Sequence, residues 1–385
     1  MKKRILAVFF VILLTLSAVY ADSQQPIQSG ELSIHFLELG NKYTGDCVYI
    51  NYGEIDIIID AGSRQSSAAT IRAYIDNHTR DGRLEYVIAT HGHQDHIAGF
   101  YSSRSITGIF DAYEIGTIID FPMTNSTTLV YRNYLNARDR AVEKGALHYT
   151  ALQCFNNEDG ARRVYDLGED LRLEILYNYY YENHTSEENN YSVCVRIVHN
   201  EDQYLFTGDL EIGGEEKLAE YYEENFGGLG HCVLYKGGHH GSNSSGSEKL
   251  MTAISPGYVC VCTCAGSPEY RASPENVFPS QGFIDRVAPY TDEVYVTTLV
   301  TNYAKNEYMP LNGNIVFYVS EKGAGIMCSN GNCKLKDTEW FTNNRRMPDA
   351  WKKEEFPLLE KAASEDTLPI DGDMIYPEAE KDGNL

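Results

Sequence analysis

Six consecutive residues, His91-Gly92-His93-Gln94-Asp95-His96, constrain this chain more than any other feature, because four of them can bind metal. They follow an apolar run, Leu84 to Thr90, that reads as a strand, so the cluster sits on a loop at a strand's C-terminal end. Alternate residues of an extended loop point the same way, which lets His91 and His93 face one point. Asp95 and His96 then turn toward a second point nearby. Imidazole with carboxylate suits Zn²⁺ best, with Mn²⁺ or Fe²⁺ as the alternatives. The competing reading is four polar residues decorating an exposed loop. The apolar strand directly before them, and Gly92 and Gly99 easing the backbone, weigh against it.

Two further segments supply matching donors. Asp209 ends the apolar stretch Leu205-Phe206-Thr207-Gly208 and is placed to bridge two cations; alone a Gly-Asp turn is a weak signal. Lys236-Gly237-Gly238-His239-His240-Gly241-Ser242 adds a glycine-flanked histidine pair in a chain with only 11 histidines. One imidazole of the pair can coordinate while its neighbour faces substrate. Asp60, in Asp60-Ala61-Gly62, reads either as a carboxylate that orients the ligands or as a plain strand-ending turn residue.

The order of elements points to an α/β fold. Leu32, Ile34 and Phe36 alternate with polar residues; Cys47 to Ile50 and Ile55 to Ile59 follow across the turn Asn51-Tyr52-Gly53-Glu54. Ser66 to Asn77 reads as a helix with Ala68, Ile71 and Ile75 on one face, before the Leu84–Thr90 strand. The second half follows a similar pattern. Strands are read at 171–176, 192–199 and 203–207, a helix at 215–225, a strand at 232–235, then strands at 258–264, 293–299 and 313–320. This is the order of an αββα sandwich, with one domain spanning 22–336 and a charged, Pro-punctuated tail, 337–385, expected as a peripheral helix or disordered end.

The spacing His91-x-His93-x-Asp95-His96, with Asp60, Asp209 and His240, resembles the metallo-β-lactamase superfamily over roughly residues 31–265. The resemblance implies a four-layer αββα sandwich with two divalent metals at one sheet edge. Carried over by position, His91, His93 and Asp209 bind one metal, and Asp95, His96, Asp209 and His240 bind the other. Asp95 and Asp209 would also take part in catalysis, and His239 would serve the leaving side, with Glu211 and Lys236 as weaker candidates and the roles of His239 and His240 exchangeable. Where the family usually carries a third histidine, this chain has Asn189-Asn190-Tyr191-Ser192. That departure argues against β-lactamases and glyoxalase-type thioesterases. The Asn-Asn-x-Ser and His-His-Gly-Ser elements resemble instead the branch of choline-phosphate esterases and the hydrolase domain of DNA-uptake competence proteins. A phosphodiesterase or phosphorylcholine-type esterase using a metal-bridging hydroxide is the implied activity, with a nuclease or a non-catalytic metal-stabilised binding protein as alternatives.

Composition bears on compartment and partners. Lys2, Lys3 and Arg4, the apolar run Ile5 to Leu16 and Val19-Tyr20-Ala21 read as a signal peptide over 1–21, hence a secreted or periplasmic protein without a stable membrane span. Losing that segment takes the net charge from −23 to −26, since it holds three basic residues and no acidic ones. Such a charge disfavours nucleic acid and leaves a small-molecule or envelope phosphoester as the expected partner. The 29 tyrosines, Tyr177 and Tyr179 to Tyr181 among them, suit a quaternary ammonium, although packing is the commoner use. Of nine cysteines, Cys328 and Cys333 flank turn-forming residues and are expected to bridge; Cys260, Cys262 and Cys264 alternate as core residues. N-x-S/T sequons stand at Asn77, Asn125, Asn183, Asn190 and Asn243 and matter only in a host that glycosylates.

Overall fold

β1 (Leu32–Phe36), β2 (Val48–Tyr52) and β3 (Ile55–Ile59) pair antiparallel in the meander their alternation predicts, with Leu32 opposite Tyr52 and Val48 opposite Ile59. The computed structural model describes residues 31–268, 276–305, 307–320 and 323–352; the expected export signal and the chain beyond 352 lie outside the described residues. After β3 the chain changes period. The helix Ser67–Ile75 buries Ala68, Ile71 and Ile75, and β4 (Arg83–Ile88) returns parallel to β3. β5 (Glu114–Asp120) and β6 (Leu147–Thr150) extend the parallel run, while β15 (Ile315–Ser320) and β16 (Gly323–Cys328) join on the far side of β1. The first sheet thus runs β16-β15-β1-β2-β3-β4-β5-β6.

The second sheet holds β7 (Val164–Asp166), β8 (Leu171–Ile175), β9 (Val195–His199), β10 (Asp202–Phe206), β11 (Leu234–Lys236), β12 (Tyr258–Ala265), β13 (Val294–Asn302) and β14 (Glu307–Pro310), side by side in that order. Aromatic residues lock the two sheets face to face: Phe36 stacks on Phe206 at 6.4 Å and Tyr204 meets Phe317 at 5.8 Å. Helices cover the outer faces. Ile71, Ile75, Ala137 and Ala141 pack on the first sheet, and Leu218, Tyr222, Leu250 and Phe283 belong to the cluster on the second. Burying one such Ile, Leu or Phe stabilises by about 1.5–3 kcal/mol, so the four layers hold through apolar area. This is the four-layer αββα sandwich expected. β3, β4, β10 and β11 all end at the same rim, where Asp60, the 91–96 cluster, Asp209 and the histidine pair follow.

Cys260, Cys262 and Cys264 are buried along β12, as read from their alternation. The expected Cys328–Cys333 bridge is not formed; both thiols are free. Beyond β16 the backbone does not fold back as a hairpin. Ser329 N–H donates to Asn314 O, Asn330 N–H to Asn312 O and Cys333 N–H to Asn312 Oδ1, which leads the chain away from its own strand. Residues 339–344 form a helix, and Phe341 and Trp351 are buried in the second sheet's outer cluster.

Under the first sheet's helix, His35 bonds the Tyr74 hydroxyl at 2.8 Å and Ser33 Oγ at 2.6 Å, with the His78 ring 5.1 Å away. Burial, reinforced by His78, holds the His35 imidazole well below the usual histidine range. The unfolded chain therefore binds this proton more readily than the folded one. The stabilising contribution is present above about pH 6.5 and is lost as pH falls. Urea midpoints should drop from pH 8 to pH 5, and His35→Asn should flatten that slope by up to about 1.4 kcal/mol per pH unit.

Candidate metal centre

The 91–96 segment is half extended and half helical, which is how it addresses two points. His93 keeps an extended backbone, and a helical turn begins at Gln94, carrying Asp95 and His96 round toward the interior. His91 Nε2 lies 3.0 Å from His93 Nδ1, and the His91 and His96 rings are 4.1 Å apart. Asp60 takes a left-handed backbone, φ 62°, and accepts from the Thr90 N–H at 2.8 Å and the Thr90 hydroxyl at 2.7 Å. Its Oδ2 also meets His96 Nδ1 at 2.7 Å. That contact turns His96 Nε2 inward to Asp209 Oδ2, 3.1 Å away. A carboxylate behind an imidazole fixes its tautomer and raises its basicity, so Asp60 orients His96 within the cluster.

His240 is built the same way by a residue that sequence reasoning missed. His240 Nδ1 lies 3.1 Å from Cys262 O and 3.0 Å from Asp46 Oδ1, leaving Nε2 to face Asp209 Oδ2 at 3.3 Å and Asp95 Oδ2 at 3.4 Å. Asp46, His96, Asp209 and His240 are all buried, and each offers one ligand atom within 4.8 Å of the others. The other oxygen of Asp46 contacts Lys236 Nζ, whose ammonium also donates to Gly208 O at 3.3 Å and lies 3.7 Å from Asp209 Oδ1. Lys236 is 2% exposed, and its ammonium is engaged by Asp46 and by Gly208 O in the wall of the cluster. Only the Gly45-Asp46 step before β2 hinted at Asp46, a signal no stronger than any turn aspartate.

The structure separates the histidine pair. Both residues have left-handed backbones, φ 43° at His239 and φ 54° at His240, so consecutive rings diverge, with planes 65° apart. Non-glycine residues in this region cost about 1–3 kcal/mol each and persist where the surroundings enforce them. His240 goes into the cluster. His239 places Nδ1 at 2.8 Å from Ser244 Oγ and Nε2 at 3.5 Å from Asn189 Nδ2 and 3.8 Å from Asp209 Oδ2. Burial pushes the His239 imidazole down to about 4, so it is neutral at physiological pH.

The Asn189-Asn190-Tyr191-Ser192 element stands beside this set. Ser192 Oγ accepts the Asp209 N–H at 3.0 Å and lies 3.5 Å from His91 Nδ1. Asn189 Nδ2 donates to Glu211 Oε1 at 3.3 Å, and Asn189 Oδ1 is buried without a hydrogen-bond partner. Asn178, inside the tyrosine run, donates to the carbonyls of Asn190 and Ser192. Of the tyrosines, Tyr177 stacks on Tyr221 at 4.0 Å, Tyr181 is buried with its hydroxyl on the Cys194 N–H, and the Lys217 ammonium lies 4.3 Å from the Tyr179 ring centre. Packing explains the run.

Glu188, also unforeseen, ties the site together. Its carboxylate accepts from the Gly92 N–H at 3.1 Å, and from the Thr124 hydroxyl and the Asn125 N–H, both at 2.5 Å. A Cβ on Gly92 would stand 2.5 Å from Glu188 Oε1, so glycine is required there for the carboxylate to reach the backbone between His91 and His93. Glu188→Ala should lower metal affinity about 10- to 100-fold by freeing that loop, measured by zinc titration against a competing chelator. Unchanged affinity would show that Glu188 does not support the ligand loop.

The donor set fits divalent metal. Asp46, Asp60, Asp95 and Asp209 crowd one buried region with Lys236 as the fixed cation beside them. Against the desolvation of burial, Asp209 and Asp60 lift His96, and Asp209 and Asp46 lift His240, well above the ordinary range. Against the same burial, His240, His96 and His239 hold the Asp209 carboxyl well below its ordinary range. A carboxylate field that grips protons this firmly grips a divalent cation in their stead. Asp209 Oδ1 and His240 Nε2 are buried without a hydrogen bond, the condition of atoms awaiting a ligand bond.

Comparison with known proteins agrees with this geometry. Residues 40–114, which hold Asp46, Asp60 and the whole 91–96 cluster, match the Metallo-beta-lactamase superfamily. Over 72 residues the chain is 39% identical to Competence protein ComA of Neisseria gonorrhoeae, a stretch that is 19% of this chain and 10% of that protein. Among solved structures, it is similar to the metallo-beta-lactamase fold protein YhfI of Bacillus subtilis, at 11% identity and TM-score 0.40, covering 70% of this chain and 96% of that one. It is also similar to a putative metal-dependent hydrolase of Parabacteroides distasonis, at 12% identity and TM-score 0.34, covering 69% and 92%. The match to the superfamily thus falls on the segment that carries Asp46, Asp60 and the 91–96 cluster, in a chain whose two sheets are sandwiched between helices with a buried His/Asp centre at their common rim.

Proposed function

We propose that the chain, a metal-dependent hydrolase of this superfamily, acts outside the cytoplasm and cleaves phosphoester bonds as a phosphodiesterase or phosphorylcholine-type esterase. The observation that carries this reading is Asp209, whose carboxylate lies within 3.1–3.8 Å of the imidazoles of His96, His240 and His239, with His91 and His93 beside them. Two divalent ions held by such a set, Zn²⁺ above all, supply an ionised water and positive charge for the oxygens around phosphorus. His91 and His93 would hold one ion and His96, His240 and Asp95 the other, with Asp209 between them.

The protein's own residues do the rest. Asp60 and Asp46 keep His96 and His240 turned inward. His239, neutral and held at Nδ1 by Ser244, turns Nε2 toward the centre, where the tautomer protonated at Nε2 would donate to the leaving oxygen. The amide of Asn189, with Nδ2 at 3.5 Å from His239 Nε2 and Oδ1 without a partner, offers a polar contact to substrate. The leader-like residues 1–21 and the acidic charge support export and an envelope or extracellular substrate over nucleic acid. No helix among the described residues is long and apolar enough to cross a membrane.

A second reading, an extracellular nuclease, draws on the likeness to a competence protein. Assays of the zinc-loaded protein on bis-p-nitrophenyl phosphate, p-nitrophenyl-phosphorylcholine and single-stranded DNA separate the two. Turnover of the small diesters with little DNA cleavage at physiological salt is expected. Rapid DNA degradation would favour the nuclease, and cleavage of none would favour a binding protein.

A further inference from the structure

The segment after β16 reaches back to the histidine pair. Arg345, half-buried, donates through Nη2 to Val277 O at 2.6 Å and through Nε to Pro279 O at 2.8 Å, and its guanidinium lies 4.8 Å from the Trp340 ring centre. Those two carbonyls flank Phe278, whose ring is 6.1 Å from that of His239. The next residue but one, Ser280, donates its N–H to Gly241 O at 2.8 Å. Gly241 has φ +78°, and a Cβ there would come within 2.8 Å of Pro279, so the 277–280 loop is pressed against the turn that carries His240.

The far end of that turn is held through the same elements. In the helix Gln281–Val287, Arg286 donates to the carbonyls of Asn243, Ser245 and Gly246, each at 2.8 Å. Gln281 at the helix start exchanges two hydrogen bonds with the backbone of Arg346. The segment itself is pinned, with Phe341 and Trp351 buried and Trp351 Nε1 donating to Thr291 O at 2.8 Å. Consecutive histidines in left-handed conformations need such enclosure, because nothing local to the sequence favours that backbone.

We propose that residues 339–352 brace the His239-His240 turn and that Arg345 is the positioning residue that transmits the brace, through the carbonyls of Val277 and Pro279, to the metal-binding loop. The planar guanidinium matters because it reaches two carbonyls at once, which a lysine ammonium does less well. As a device for metal binding the proposal rests on the hydrolase reading above, so its test includes a measurement that needs no metal.

Hydrogen exchange over residues 237–247 of the full-length, metal-free protein is compared for wild type, Arg345→Ala, Arg345→Lys and the neighbouring control Arg346→Ala, alongside zinc titrations of each. Arg345→Ala should speed exchange in 237–247 and weaken zinc binding about tenfold, the scale found when supports behind metal ligands are removed. Arg345→Lys should recover part of both, and Arg346→Ala should resemble wild type. If Arg345→Ala loosens only 277–281 and 339–352 while 237–247 and zinc affinity stay at wild-type values, the brace is refuted. Should Arg345→Ala fail to fold, Arg345→Lys decides by the same two readouts. A wild type that takes up no zinc would sink the metal reading, and the exchange comparison would still decide the brace.

Discussion

Asp209→Ala is expected to abolish hydrolysis, a loss on the order of 10³-fold or more, and to lower bound metal, because this carboxylate faces imidazoles from two separate loops. Its Oδ2 is 3.1 Å from His96 Nε2 and 3.3 Å from His240 Nε2, and its backbone N–H is fixed by Ser192 Oγ, which also approaches His91. Alanine removes the charge and leaves the imidazoles of opposite loops without a common anchor. Asp209→Asn refines the test, since it keeps the shape and half the acceptors but not the charge. It should fold as wild type yet bind metal weakly and turn over poorly. Metal content by mass spectrometry and kcat/KM on a phosphodiester measure both. Wild-type turnover in Asp209→Ala would show that the bridging role is wrong.

Lys236→Met should destabilise the metal-free protein by about 3–5 kcal/mol, the usual consequence of leaving a buried charge without its partner. The stranded charge is Asp46, which is 2% exposed and contacts both the Lys236 ammonium and His240. Asp46 and Asp209 push the Lys236 ammonium up despite its burial, so it stays charged in the folded protein. Bound divalent cations supply positive charge to the same carboxylates, so zinc should shrink the penalty. Adding Asp46→Asn should cost less than the two single changes predict, as expected for groups that interact directly. Urea unfolding with and without zinc reads both effects. A penalty unchanged by zinc would mean that Lys236 does not share in the charge balance of the centre.

Much of this was legible in the sequence because period and chemistry coincide at the strand ends. Ala68, Ile71 and Ile75 mark a helix face, β1 to β4 alternate or run apolar, and each ligand cluster follows an apolar run directly. The polar helix Leu129–Glu143 gave little signal, since it buries only Tyr134, Ala137 and Ala141 among its 15 residues. Asp46 and Glu188 were hidden for another reason. Each is a lone acid in a loop, and its meaning comes from backbone and imidazole groups that are distant in sequence, Gly92 being 96 residues from Glu188. The choice between His239 and His240 was equally out of reach, because it depends on two left-handed residues enforced from outside. Cys328 and Cys333 misled: turn residues between them suggested a hairpin, but Asn312 and Asn314 capture that backbone first.

The most direct measurement is the metal content of the purified protein, taken together with its thermal unfolding before and after a strong chelator. Bound divalent metal, and a clear fall in Tm on chelation, are predicted, since a ligand at about 100 times its Kd adds about 2.7 kcal/mol to the folded state. Protein that carries no metal, takes none up when zinc is offered and unfolds at the same temperature with or without chelator would contradict a metal centre at this rim.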